Sequence, residues 1–420
     1  IRDLMMGELV RLDLAGVAPE DQEMITARFL DFLRDEKPFE ICGKTLRNLV
    51  KNHADFGVKN EIIGRVPTRP EMEFPQALQM QRRFVLHIGP TNCGKTYHAL
   101  ERLREAQNGV YLGPLRLLAL EVYEKMKEAG LPCTMLTGEE RIYEENSRII
   151  SSTVEMLDID LKYDVAVIDE AQMIADPDRG HSWTRAILGV QAQEIHVCMS
   201  PAAEKVVTHL IGLCGDTYEI NRYERKTRLF CEQEPFVFPE DVQDGDALIV
   251  FTKRAVLDIA GRLERNGVKA SVIYGSLPPE IRRRQIGLFA RKETKVVVST
   301  DAIGMGLNLP VRRIVFVQTD KFDGKSTRPL KTAEIRQIAG RAGRFGLYDT
   351  GYVSAVGEEE LAFIRERFDQ IEPDVDHVSL GFPQVLLDMD EPLDAILKIW
   401  KSVETEPPFE KISIEEVLFL

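Results

Sequence analysis

Gly89-Pro90-Thr91-Asn92-Cys93-Gly94-Lys95-Thr96 follows the apolar run Phe84-Val85-Leu86-His87-Ile88 and precedes the helix-forming Tyr97-His98-Ala99-Leu100-Glu101-Arg102-Leu103. The pattern is a strand, a G-x-x-x-x-G-K-T loop and a helix. Glycine at each end lets the loop wrap a phosphate chain, because it accepts backbone angles closed to other residues and leaves amide hydrogens facing inward. Lys95 then offers a point charge to the terminal phosphates and Thr96 a hydroxyl to magnesium, while the helix aims its positive end at the anion. All eight loop residues are therefore expected to hold a phosphate chain. The competing reading is a glycine-containing turn with a surface lysine.

Further along, the apolar strand Val165-Ala166-Val167-Ile168 runs into Asp169-Glu170-Ala171-Gln172. A carboxylate at a strand end can share the magnesium with Thr96, which makes Asp169 the second expected metal ligand. Glu170 is then placed to orient or deprotonate the attacking water. A third signal is Gln337-Ile338-Ala339-Gly340-Arg341-Ala342-Gly343-Arg344. Read as part of a helix over Ala333–Ala342, Arg341 and Arg344 are three apart and share a face. Such arginines can reach across a cleft to the triphosphate, where an inserted arginine contributes roughly 10³ to 10⁵ in rate. Gln337 lies one turn earlier, in reach of the γ-phosphate or the water. A solvated basic helix is the alternative.

Around these signals the chain alternates short apolar runs with helical patterns, the rhythm of parallel sheets covered on both faces. It breaks at Asn221-Arg222-Tyr223-Glu224-Arg225-Lys226-Thr227 and resumes near Ala247. We expect an α/β protein with two tandem parallel-sheet lobes, residues 81–226 and 227–357, joined by that charged connector. Residues 1–80 predict a helical extension and linker, with Ile25, Phe29, Phe32 and Leu33 on one helical face and prolines from Pro67 to Pro75. Residues 358–420 predict a helical segment around Val385–Trp400.

Composition narrows the class. With 420 residues, 44% of them apolar, the chain can build real cores, and no apolar run approaches the roughly 20 residues that span a bilayer. Acidic residues outnumber basic ones 68 to 54, for a net charge of −14, which argues against general electrostatic adhesion to nucleic acid and leaves room for a local groove. Six scattered cysteines lack metal-ligand spacing and predict reduced thiols. Residues Ile1–Leu14 have neither signal-peptide nor transit-peptide character. A first residue other than Met leads us to expect that residues precede it, and the apolar end Phe419-Leu420 that the chain is cut short.

Taken in order, GPTNCGKT, DEAQ, STDAIGMGLNLP (Ser299 to Pro310) and QIAGRAGR resemble a superfamily-two helicase. Tyr111-Leu112-Gly113-Pro114-Leu115-Arg116, Thr137-Gly138-Glu139-Glu140 and Lys321-Phe322-Asp323-Gly324 look more narrowly like the DExH-type RNA helicases of the mitochondrial degradosome, the suppressor-of-var family, which has bacterial members. The likeness covers roughly residues 84 to 356.

That resemblance implies two RecA-like lobes and ATP-driven translocation along one strand, 3′ to 5′. RNA is the implied track, with DNA or hybrid duplexes as alternatives, in RNA turnover with an exoribonuclease partner, in a mitochondrial matrix or a bacterial cytoplasm. It assigns Asp301, Gly304 and Gly306 to nucleotide sensing. Pro114, Arg116, Thr137 and Gly138 in the first lobe, and Thr252, Gly275 and Thr300 in the second, would touch the strand's backbone, which carries no sequence code. Ser200-Pro201-Ala202-Ala203 stands where related helicases couple hydrolysis to movement, but departs from the usual Ser-Ala-Thr. No glutamine among Gln76, Gln79 and Gln81 is selected as an adenine reader. Two other readings stay open: a DNA translocase, and an RNA clamp with negligible turnover.

Overall fold

The computed structural model describes residues 62–66, 69–304, 309–324, 326–344, 346–389 and 391–414, together with Ala27. The helix expected over residues 21–34, Cys42 and Gly306 lie outside the described residues. The chain forms two units, and the larger, Phe74–Ser379, contains both expected lobes.

The first lobe is an eight-stranded sheet. Its strands in chain order are β1 (Arg83–Ile88), β2 (Gly109–Gly113), β3 (Cys133–Leu136), β4 (Arg141–Ile142), β5 (Ile149–Thr153), β6 (Lys162–Ile168), β7 (Gln191–Met199) and β8 (Thr217–Arg222). In space they run β4-β3-β5-β2-β6-β7-β1-β8, parallel except for β4. Valine, isoleucine and leucine fill β1, β2 and β6 because these strands are covered on both faces. The helices α1 (Lys95–Glu105) and α2 (Arg116–Glu128) lie over one face and bury Leu103, Val122 and Met126 against Val165 and Val167. Register places function at one edge. Ile88 pairs with Met199 and Ile168 with Val197, so Gly89, Asp169 and Ser200 all emerge at the carboxyl ends of neighbouring strands.

The connector is shorter than the expected residues 221–227, since β8 continues to Arg222 and residues 223–227 cross between lobes. The second lobe has β9 (Arg228–Cys231), β10 (Asp246–Ile249), β11 (Ala270–Ile273), β12 (Val296–Ser299), β13 (Arg313–Phe316) and, after a hairpin of β14 (Asp320–Phe322) and β15 (Thr327–Pro329), β16 (Thr350–Ala355). The six-stranded order is β11-β12-β10-β13-β16-β9, every pairing parallel. Its helices include α3 (Lys253–Arg265), which Thr252 caps through Ala255 N–H at 3.1 Å.

Two elements depart from expectation. The helix carrying the arginine motif, α4, spans Thr332–Ala339 and ends at Gly340. Gly343 adopts φ 70°, a left-handed turn that favours glycine. Arg341 and Arg344 therefore stand on a turn, and their expected shared helical face does not exist. The helix α5 (Glu358–Asp369), whose residues the expected boundary after 357 assigns to the C-terminal segment, packs Leu361 and Ile364 into the second lobe's core. Beyond it the chain returns to the first lobe, where Val375 N–H meets Ala202 O at 2.8 Å and Ser379 Oγ donates to Asp176 O at 2.9 Å.

In the smaller unit, α6 (Leu393–Ser402) buries Ile396, Leu397 and Trp400 with Ile62 and Leu386. This matches the expected helix in position, though its pattern begins later than Val385.

Candidate functional site: a nucleotide cleft between two lobes

The phosphate loop is shaped by its glycines. A β-carbon on Gly89 would stand 2.6 Å from Tyr223 O and 2.8 Å from Cys93 Sγ, so only hydrogen fits. Gly94 has φ 93° and Asn92 φ 65°, which turn the chain into α1. Lys95 is buried, and its ammonium donates to Gly89 O and Pro90 O, both at 3.1 Å. Thr96 Oγ1 donates to Asp169 Oδ1 at 3.0 Å. The loop and the acidic strand end, 73 residues apart, thus meet as their motifs predicted.

Asp169 is held from several sides. Tyr111 OH donates to its Oδ2 at 3.0 Å, and Trp183 Nε1 to its main-chain oxygen at 2.9 Å. Burial, and then the neighbouring Glu170 charge, push its carboxyl up to about 6 against the opposing influence of Lys95, Thr96 and Tyr111. Glu170 has φ 52°, a left-handed conformation that costs a non-glycine residue about 1–2 kcal/mol. Such strain persists where surrounding contacts enforce it. Here Gln172 Nε2 donates to Glu170 Oε2, while Gln172 Oε1 accepts Ser200 N–H at 3.0 Å. The Ser200 hydroxyl itself is buried with no hydrogen-bond partner among the described residues.

The second lobe faces these groups. Asn92 Nδ2 reaches Gly343 O at 3.4 Å, and a β-carbon on Gly340 would stand 2.8 Å from Thr91 Cβ. Arg341 donates from Nε and Nη2 to Gly304 O at 3.0 and 2.6 Å. Burial lowers its proton affinity, and the charges of Glu170, Asp169 and Glu121 across the cleft oppose that. Gln337 packs beside the same Gly304: a β-carbon there would lie 3.6 Å from its Cγ. Arg344 follows on the turn, where its carbonyl accepts Tyr348 N–H at 2.9 Å. Asp301 is engaged elsewhere, with Lys321 Nζ at 3.1 Å, and that ammonium also pairs with Glu334 at 2.7 Å.

The residues expected on the strand's path emerge from the same sheet edges. Thr137 Oγ1 is engaged within its own turn, donating to Glu140 O at 2.9 Å and accepting Glu140 N–H at 3.0 Å. Thr300 caps Ala302 N–H at 3.3 Å. Pro114 O accepts Arg179 Nη2 at 2.5 Å, and Gly275 O accepts Arg282 Nη2 at 2.6 Å. Gly138 and Gly275 face open space. Arg116 is clasped by Glu139 and Glu140, a neutralisation that the sequence reading did not anticipate.

Sequence reasoning also missed Tyr111, Trp183, Gln172 and Arg225. Gln172 was in view inside DEAQ without a role, and Tyr111 inside a quoted family motif. Trp183 and Arg225 act on main-chain carbonyls, which leave no pattern in the sequence.

Two RecA-like lobes with a phosphate loop, an acidic strand end and an arginine turn around one cleft define a superfamily-two helicase core. The fold is shared with yeast Dbp5, solved bound to RNA and ADP BeF3, at a TM-score of 0.51 and 18% identity over 73% of this chain and 89% of that one. Residues 70–223 match the DEXQ-box helicase domain of Suv3, and residues 227–346 the helicase conserved C-terminal domain. The chain belongs to the Suv3 family of helicases. It is 44% identical over 375 residues to the ATP-dependent RNA helicase SUV3 homolog, mitochondrial, of Caenorhabditis elegans, covering 87% of this chain and 50% of that protein. It is 40% identical over 378 residues to DExH-box ATP-dependent RNA helicase DExH18, mitochondrial, of Arabidopsis thaliana, covering 88% and 47%. The chain thus spans about half the length of the curated relatives it matches.

Proposed function

We propose that this chain is the motor of an ATP-dependent RNA helicase that hydrolyses ATP to move along single-stranded RNA, 3′ to 5′, and unwinds RNA or hybrid duplexes during RNA turnover. The observation that carries the reading is Thr96 bonded to Asp169 on one side of a cleft whose other side presents Arg341. The relatives' names as ATP-dependent RNA helicases support it. Their names also favour a mitochondrial location over a bacterial cytoplasm. An exoribonuclease is the proposed partner.

Lys95 leaves Gly89 O and Pro90 O to hold the terminal phosphates, with the loop amides around them. Thr96 Oγ1 and Asp169 Oδ1 are hard oxygen donors 3.0 Å apart. Magnesium prefers hard oxygen ligands, and its charge would compensate the buried carboxylate, so the pair fits the ion. Thr96 and Asp169 would hold that ion, which supplies charge neutralisation at the phosphate oxygens when bound. Glu170 takes the proton of the attacking water, its carboxylate aimed by Gln172. Arg341 and Arg344 stabilise the charge that develops on the transferred phosphoryl group. Loss of the γ-phosphate releases the arginine turn, and the two lobes alternate their hold on the strand. Pro114, Arg116, Thr137, Gly138, Thr252, Gly275 and Thr300 form the proposed backbone track.

Steady-state hydrolysis with and without single-stranded RNA or DNA tests this reading, alongside displacement of 3′-tailed and 5′-tailed duplexes. Removing a general base costs about 10²–10⁴ in rate, so Glu170→Gln should abolish RNA-stimulated turnover while ATP still binds. Lys95→Ala should weaken ATP binding itself. Stimulation by DNA alone would favour the translocase, and RNA binding without turnover the clamp.

A further inference from the structure

The connector at residues 223–227 contains an arginine that neither the motifs nor the mechanism uses. Arg225 donates from Nε to Thr227 O at 3.1 Å, from Nη1 to Thr91 O at 3.3 Å and Gly340 O at 2.7 Å, and from Nη2 to Ala342 O. Thr227 Oγ1 adds a bond to Gly343 O at 2.7 Å. The main-chain carbonyls on both sides of Arg341 are therefore fastened to the connector, by the same guanidinium that holds Thr91 O of the phosphate loop.

This arrangement is chemically specific. Among the described residues Arg225 has no carboxylate partner: its hydrogen bonds all go to main-chain oxygens. Burial lowers its proton affinity to about 10, and the charge of Arg341 adds to that, yet the group stays protonated at neutral pH. A buried cation is tolerated only when its donors are satisfied. A planar fork with five N–H groups meets four separated carbonyls, whereas an ammonium on a flexible stem cannot. The turn it clasps has little freedom elsewhere, since a β-carbon on Gly343 would stand 2.7 Å from Gly351 N.

We propose that Arg225 is a positioning residue for ATP hydrolysis: it seats the turn Gly340–Gly343 against Thr91 and so sets where Arg341 stands relative to the phosphates. The proposal rests on the helicase reading, because it assumes that ATP reacts in this cleft. A misplacement of about 1 Å can cost 10²-fold in rate. Losing the clasp should therefore lower kcat far more than it changes KM.

The test uses the full chain with Arg225→Gln and Arg225→Lys. In each, the RNA-stimulated kcat should fall about 10²-fold, with KM for ATP changed less than about threefold on the same argument that the phosphate contacts are intact. Affinity for ADP should stay near wild type, while affinity for ADP with aluminium fluoride, which imitates the transferring phosphoryl group, should fall at least about tenfold. A general loosening of the fold would weaken both ligands alike, and that result overturns the proposal. So does wild-type kcat in either variant. If Arg225→Gln does not melt cooperatively, Arg225→Lys decides, because it keeps the charge and loses only the fork. A wild-type chain with no ATP hydrolysis would instead remove the helicase reading itself.

Discussion

The Gln172 amide nitrogen donates to the carboxylate of Glu170, and the bond orients the residue expected to act on water. The same amide's oxygen holds Ser200 N–H at 3.0 Å, so the position of the base is coupled to the segment that follows β7. Among the described residues the Ser200 hydroxyl has no hydrogen-bond partner, so this main-chain bond is the link between the two segments that the structure shows.

Gln172→Ala removes both contacts and leaves Ser200 N–H without its acceptor. A hydrogen bond to a charged group contributes about 1.5–3 kcal/mol, so RNA-stimulated hydrolysis should fall about tenfold or more. ATP affinity should change little, because no phosphate contact is lost. Duplex displaced per ATP consumed should fall further than the hydrolysis rate, and an unchanged ratio would show that Gln172 aims the base without coupling it to movement.

Trp183 is fully buried and donates to Asp169 O at 2.9 Å. Trp183→Phe keeps most of the apolar volume but strands a buried carbonyl, which costs about 1–3 kcal/mol. Urea denaturation should show that loss, and the anchoring of the acidic turn predicts a drop in kcat as well. Wild-type stability in Trp183→Phe would mean that another donor reaches Asp169.

A pH dependence follows from the chain behind the phosphate loop. Tyr223 OH lies 2.7 Å from His87 Nδ1, His87 Nε2 lies 2.7 Å from His196 Nδ1, and His196 Nε2 lies 2.7 Å from Glu194 Oε1. With every donor running toward the carboxylate, both imidazoles are neutral. Burial, then His196 and His98, push His87 down to about 4, and burial also lowers His196. Between pH 6.5 and about 4 the unfolded chain therefore binds more protons at His87 than the native one, and His196 shifts in the same direction. The His87 contribution to stability is complete above pH 6.5 and is lost as pH falls through that window. The urea midpoint should fall from pH 7 to 5, and His87→Gln should flatten the slope.

The sequence made the first lobe's chemistry legible because its motifs are contiguous and end strands, and a parallel sheet brings strand ends to one edge. Gly89, Thr96 and Asp169 could be placed from pattern alone. The arginine motif is legible as a motif but not in its conformation: the expected helix over Ala333–Ala342 ends at Ala339, because Gly340 caps it and Gly343 turns left-handed. The Arg116 clasp was invisible because Glu139 and Glu140 are more than 20 residues away on another element. Arg225 was hidden for a different reason, since a charged connector carries no sign of which carbonyls it will meet.

The central claim is that two lobes build one ATPase, and RNA-stimulated hydrolysis by Arg341→Ala in the full chain tests it most directly. Loss of an inserted arginine predicts a fall of about 10³-fold or more in kcat, with ADP affinity retained because the phosphate loop is untouched. Hydrolysis at the wild-type rate would contradict it, for the first lobe would then be acting alone.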